Sequence, residues 1–135
     1  KASDKLIFSS PFLRFWFAFI SPLFKGIKDG NFKEVQERFI NRQSEFINLT
    51  FTQLSQEFLK LSLKEEGILE CSSYWDEENE IDIYIKTKSK KIIIGSSKYT
   101  NSKIKKNELS KIQEKAKKLG IKADMFVIFS KKGFS

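Results

Sequence analysis

The spacing of apolar residues changes near Gly67, about halfway along the chain. Before that residue, apolar side chains recur every three or four positions, which is typical of helices buried on one face. After it, residues 80–85 alternate strictly between polar side chains and isoleucine, which is typical of a strand with one buried face. The pattern therefore predicts helices in the first half and a sheet in the second.

Three helices are predicted in the first half. The first covers residues 12–20 and is apolar nearly all round, so we expect it to pack between two layers. The second runs from about residue 31 to residue 48. The third covers residues 50–67, and Thr50 or Thr52 would cap its start.

Four strands are predicted in the second half: 68–75, 80–85, 92–99 and 123–130. A helix with Asn107 as its N-cap and Gly120 as its stop separates the last two strands. A right-handed crossover would make those two strands parallel. The expected fold is α/β in the α+β sense, with N-terminal helices followed by a mixed four-stranded sheet flanked by helices. Residues 1–48 would form a helical part that packs on a core at 49–135.

The hairpin of the second and third strands brings polar residues together. If it turns near Ser89, Asp82 lies opposite Ser96, and Lys98 lies two residues further along on the same face. The sequence thus predicts an Asp82–Ser96–Lys98 corner at one side of the sheet.

The amino-acid composition excludes several kinds of catalytic and metal site. The chain has 135 residues, one cysteine and no histidine, which excludes Ser-His-Asp triads, Cys-His dyads and histidine-based zinc sites. Because Cys71 has no partner for an intramolecular disulfide, a reducing cytoplasm is the expected compartment. The most hydrophobic run, residues 11–24, contains Arg14 and is shorter than the ~20 residues that span a bilayer, so no membrane association is expected.

Charge is segregated along the chain. Residues 65–82 hold eight acidic side chains and no basic one, whereas residues 86–122 hold thirteen lysines and two glutamates. A basic segment of this density attracts phosphate backbones through counterion release, although such runs also serve simply as solvated faces. Nucleic acid is therefore an expected partner.

Several stretches resemble known proteins: "SSPFLRFWFAFISP", "FTQLSQEFLKL", "YWDEENEIDIYI", "IIIGSSKYT" and "VIFSKKGFS". Together they look like the C-terminal domain, of unassigned function, that follows the ATPase and winged-helix parts in an archaeal-type AAA ATPase family also found in bacteria. The element order also resembles the PD-(D/E)XK, or restriction endonuclease-like, superfamily. That resemblance implies that Asp82 binds the metal and Lys98 lies beside the attacking water.

Two residues depart from that family pattern. Thr52 and Ser96 stand where the family has glutamates, which leaves Asp82 as the one matched carboxylate and as a weak metal ligand at best. The resemblance therefore implies a vestigial nuclease site with no cofactor, and Mg²⁺ only if the site is active. Glu80, Glu70 and Gln56 are the candidates for a relocated ligand.

The chain lacks a G-x-x-x-x-G-K-[ST] phosphate loop, so no ATP site is expected in it. By the resemblance, Lys1 lies inside a longer protein, and upstream ATPase and winged-helix portions are expected partners.

Three functions follow as hypotheses. The first is a non-catalytic, nuclease-like module that binds nucleic acid through four lysines: Lys98, Lys103, Lys105 and Lys106. The second is a regulatory protein-interaction domain of the ATPase. The third is an active Mg²⁺-dependent nuclease with a relocated carboxylate.

Overall fold

The computed structural model describes residues 8–135. They divide into two compact units: one ends at Thr50, and the other comprises Phe51–Ser135. The bounds of one helix, α3 (Lys33–Ser62), span the division. No helix within residues 8–135 combines the length and the apolarity needed to cross a membrane.

The first unit starts with four short helical segments: α1 (Pro11–Phe15), a π-helical turn (Trp16–Ile20), a 3₁₀ turn (Ser21–Leu23) and α2 (Phe24–Lys28). Ser10 caps α1 by accepting the Leu13 N–H at 3.4 Å, and Pro11 occupies the first turn, where its missing N–H costs nothing.

The predicted burial of the first helix on both sides is wrong. Phe19 is buried against Phe39 and Phe46 of α3 in edge-to-face contacts. Phe12, in contrast, is 69% exposed, and Phe17 is also exposed. Among the described residues of this segment, Phe19 is enclosed by α3, whereas Phe12 and Phe17 keep much of their surface in solvent.

Helix α3 is continuous where two helices were predicted. The break expected between residues 48 and 50 is wrong, because the Thr50 hydroxyl donates to the Phe46 carbonyl at 2.9 Å within the helix. A threonine hydroxyl can make this hydrogen bond to the preceding turn without ending the helix. Threonine in a helix interior costs only a few tenths of a kcal/mol relative to alanine. Thr50 and Thr52 are therefore interior helical residues and not caps.

The second unit contains a four-stranded mixed sheet, as predicted. Its strands are β1 (Ile68–Trp75), β2 (Glu80–Thr87), β3 (Ile92–Lys98) and β4 (Met125–Ser130). They lie in the order β1-β2-β3-β4, antiparallel except for the parallel β3–β4 pair. Helix α4 (Asn107–Lys118) connects the parallel pair.

Successive residues of β3 pack into two different hydrophobic cores, one on each face of the sheet. Ile93 packs with Leu59 of α3 and with Ile83, whereas Ile94 packs with Ile112 of α4. The two faces of the sheet are thus covered by different helices, which decides what each polar side chain at the end of β3 meets.

Helix α4 starts one residue earlier than predicted. Asn107 is its first residue, and Lys106, at the cap position, makes no side-chain capping bond. The predicted Asn107 cap is wrong because a turn already forms there, in which the Glu108 N–H donates to the Lys105 carbonyl at 3.1 Å.

Candidate functional site

The Asp82 carboxylate closes the open end of the β2–β3 hairpin. The paired register ends at Ile83 and Gly95. Beyond it, Asp82 Oδ2 accepts the Ser96 hydroxyl at 3.1 Å and the Ser97 N–H at 2.9 Å. The Asp82 side chain therefore accepts a hydrogen bond from the amide that lies past the last β2–β3 pair, and it accepts a second one from the Ser96 hydroxyl.

Lys98 lies at the same corner. Asp82, Ser96 and Lys98 line one small cavity of about 100 Å³, together with Glu80, Ile112 and Lys115 among others. The Lys98 ammonium lies 4.0 Å from the Glu108 carboxylate of α4. The structure thus brings together three of the residues singled out in the sequence and adds a carboxylate to them.

Glu108 is a site residue that the sequence did not reveal. Its other oxygen accepts from Lys111 at 2.6 Å, and that hydrogen bond, with the charges of Lys111, Lys98 and Lys115, lowers the pKa of Glu108 despite partial burial. The one sequence signal was an acidic residue at the start of the predicted last helix. Nothing in the spacing indicated that this helix start faces Lys98.

Thr52 lies on the other side of β3. Its hydroxyl shares a hydrogen bond with the Ser97 hydroxyl, and Ser97 faces α3 whereas Ser96 and Lys98 face α4. Thr52 and Ser96, the two positions where the resemblance implies glutamates, therefore do not converge on one cavity here.

The candidates for a relocated metal ligand are dispersed. Gln56 Nε2 donates to the Asp82 backbone carbonyl at 3.1 Å, and Glu70 accepts from Ser72 at 3.3 Å, while Glu80 lines the cavity. Residues 8–135 contain no group of three or more Asp, Glu, Cys or His side chains placed to hold a metal. With Asp82 Oδ2 engaged by two donors, the oxygen donors at this corner do not fit a Mg²⁺ site.

Three of the four predicted nucleic-acid-binding lysines lie in the loop between β3 and α4, and the fourth, Lys98, is the last residue of β3. Lys103, Lys105 and Lys106 are exposed around a buried Ile104. Ile104 pairs with Phe134, because the Ile104 N–H donates to Gly133 and the Ser135 N–H donates to Ile104. The loop is thus fixed to the end of the chain at the carboxyl ends of β3 and β4.

A family model described as archaeal and bacterial proteins of unknown function, DUF234, matches residues 16–112, well over half of the chain. The chain belongs to the DUF234 family. The matched part includes Asp82, Ser96 and Lys98 and all three loop lysines, so the corner and the basic loop lie within the DUF234 region. No curated protein and no solved structure matches this chain.

Proposed function

We propose that this DUF234 chain is a non-catalytic, nuclease-like module of a larger ATPase and that it binds nucleic acid through Lys98, Lys103, Lys105 and Lys106. The observation that carries the proposal is the fixed basic loop with its exposed lysines. The loop follows a corner that contains Asp82 and Lys98 but has the Ser96 hydroxyl where a metal-binding glutamate would lie.

The hydrogen bonds of the corner support a non-catalytic role. A glutamate at position 96 would lie opposite Asp82. Two carboxylates at such a short distance need a cation or a proton between them. Ser96 supplies a hydroxyl hydrogen in place of that cation. Lys98 is meanwhile close to Glu108, so part of its charge is compensated within the protein.

The position of the loop lysines supports nucleic-acid binding. Backbone hydrogen bonds on both sides of Phe134 hold Ile104, so Lys103 and Lys105 flank a fixed point of the chain. Phosphate contacts made from a fixed backbone cost less ordering entropy than contacts made from a flexible tail. These residues therefore form a preorganised cationic surface for a phosphate backbone.

Fluorescence anisotropy with a labelled duplex, measured from 50 to 200 mM salt, tests this proposal. Replacing Lys103, Lys105 and Lys106 together by alanine should weaken binding and reduce the slope of log K against log salt by about 2 to 3. The matched control replaces three other exposed lysines, Lys117, Lys118 and Lys122, and removes the same charge from a different place.

Three outcomes would contradict the proposal. Equal effects of the two triple variants would show that only net charge matters. Absence of binding by the unmodified chain at 50 mM salt would remove the nucleic-acid function. Mg²⁺-dependent plasmid cleavage that is lost in both Asp82→Ala and Lys98→Ala would show that the site is catalytic.

One observation favours a second function, a regulatory protein-interaction domain of the same ATPase. The first unit exposes several large apolar side chains: Phe12, Phe24, Phe32, Phe39 and Ile40. Exposed apolar surface of this kind marks interaction sites in soluble proteins. Sedimentation of this chain with and without the remainder of its own protein tests that function, and a monomer indifferent to the remainder would exclude it.

A further inference from the structure

We propose that the surface around Lys103 and Lys105 binds unpaired nucleotides, with a base stacked on Phe134. This inference rests on the nucleic-acid function proposed above and specifies its substrate class as single-stranded. It comes from one exposed aromatic ring whose backbone pairs with Ile104, between Lys103 and Lys105, a feature that phosphate binding alone does not require.

Phe134 is 57% exposed although its backbone is fixed. The Ile104 N–H donates to Gly133 at 3.0 Å and the Ser135 N–H donates to Ile104 at 3.1 Å, so hydrogen bonds secure the chain on both sides of the ring. The Ser130 hydroxyl also donates to the Gly133 carbonyl at 3.0 Å and tightens the turn that leads to it. A large apolar ring is thus presented to solvent from a rigid position.

A preorganised cation accompanies this ring. Lys131 Nζ lies 4.5 Å from the centroid of the Tyr99 ring and donates to Asn101 Oδ1 at 2.9 Å. The Lys131 N–H donates to the Lys98 carbonyl at 3.2 Å, which ties β4 to the end of β3. Lys131 therefore holds its charge in one place, three residues before Phe134 and across the same turn.

The combination of a fixed ring and fixed cations is suited to single strands. Bases in a duplex have their faces covered by neighbouring pairs, so an aromatic side chain gains no stacking contact unless it unstacks them at a cost of a few kcal/mol. An unpaired base offers its face freely, and its phosphates reach the lysines. Sequence preference should be weak, because every base has a face that stacks.

Anisotropy with one labelled 20-nucleotide strand, alone and annealed to its complement, tests this inference. We expect the single strand to bind more tightly, and Phe134→Ala to lower its affinity about tenfold or more while leaving duplex affinity and the salt slope unchanged. Phe134→Leu should lose as much, since it keeps an apolar side chain without a ring, and Phe134→Trp should retain binding. Phe32→Ala removes a phenylalanine of matched exposure, 56%, and should change neither affinity.

The results that overturn the inference differ from those that overturn the proposed function. If both nucleic acids bind but Phe134→Ala and Phe32→Ala behave alike, or if the duplex binds more tightly, the stacking role is wrong and the nucleic-acid function stands. If Phe134→Leu binds the single strand as well as the unmodified chain does, the contact is apolar packing and not stacking. If neither nucleic acid binds at 50 mM salt, both proposals fall.

Discussion

Replacing Asp82 with alanine removes the acceptor of two hydrogen bonds, from the Ser96 hydroxyl and the Ser97 N–H. Hydrogen bonds to a charged group contribute about 1.5 to 3 kcal/mol each, and partial exposure of Asp82 reduces that value. We therefore expect Asp82→Ala to lower the free energy of unfolding by about 2 to 4 kcal/mol. Ser96→Ala removes one of the two donors and should cost about half as much.

Urea denaturation of the metal-free protein, followed by circular dichroism, measures these changes. Glu80→Ala is the matched control, because Glu80 is an exposed carboxylate that lines the same cavity, and its removal should change stability by less than about 0.5 kcal/mol. A stabilised Asp82→Ala variant would refute the reasoning, since carboxylates kept for metal binding usually cost stability. A loss no larger than that of Glu80→Ala would refute it as well.

Three further predictions concern other parts of the second unit. Gly95→Ala should destabilise the protein by about 1 to 3 kcal/mol in urea, because the added Cβ would lie 2.9 Å from a methyl of the β-branched Val127; no loss would contradict this close packing. Glu108 has a lowered pKa, so its pairing with Lys111 stabilises the fold above the ordinary glutamate pKa, and this stabilisation is lost as the pH falls through the pKa of Glu108 in the folded protein. Glu108→Gln should therefore lower stability at pH 7 and flatten the acid side of the stability–pH profile. Parallel profiles of the variant and the unmodified chain would contradict this prediction. Burial raises the pKa of Cys71, so native protein should react with iodoacetamide more slowly at pH 8 than urea-unfolded protein does, and equal rates would be evidence against a covered thiol.

The strand pairing of the corner follows from local sequence. Strict alternation in residues 80–85 and the short polar turn after them fix a hairpin centred near Ser89, and that register alone places Asp82 opposite Ser96. The first helices were harder to predict, because Asn48 and Thr50 resemble helix ends in isolation but cost too little to break a helix. The exposure of aromatic side chains in residues 11–20 could not be predicted either, because a hydrophobic pattern shows which residues are apolar but not which element packs on them.

The sequence by itself determined the change from helices to strands near Gly67, the mixed sheet, the Asp82–Ser96 pair and the basic loop, because each depends on periodicity or on neighbours along a hairpin. The tertiary structure alone decided that Glu108 lies beside Lys98, that Thr52 meets Ser97 on the opposite face from Ser96, and that Phe134 anchors Ile104. The physical reason is that these contacts join elements far apart in sequence. Their geometry depends on which helix covers which face of the sheet, and no local spacing records that choice.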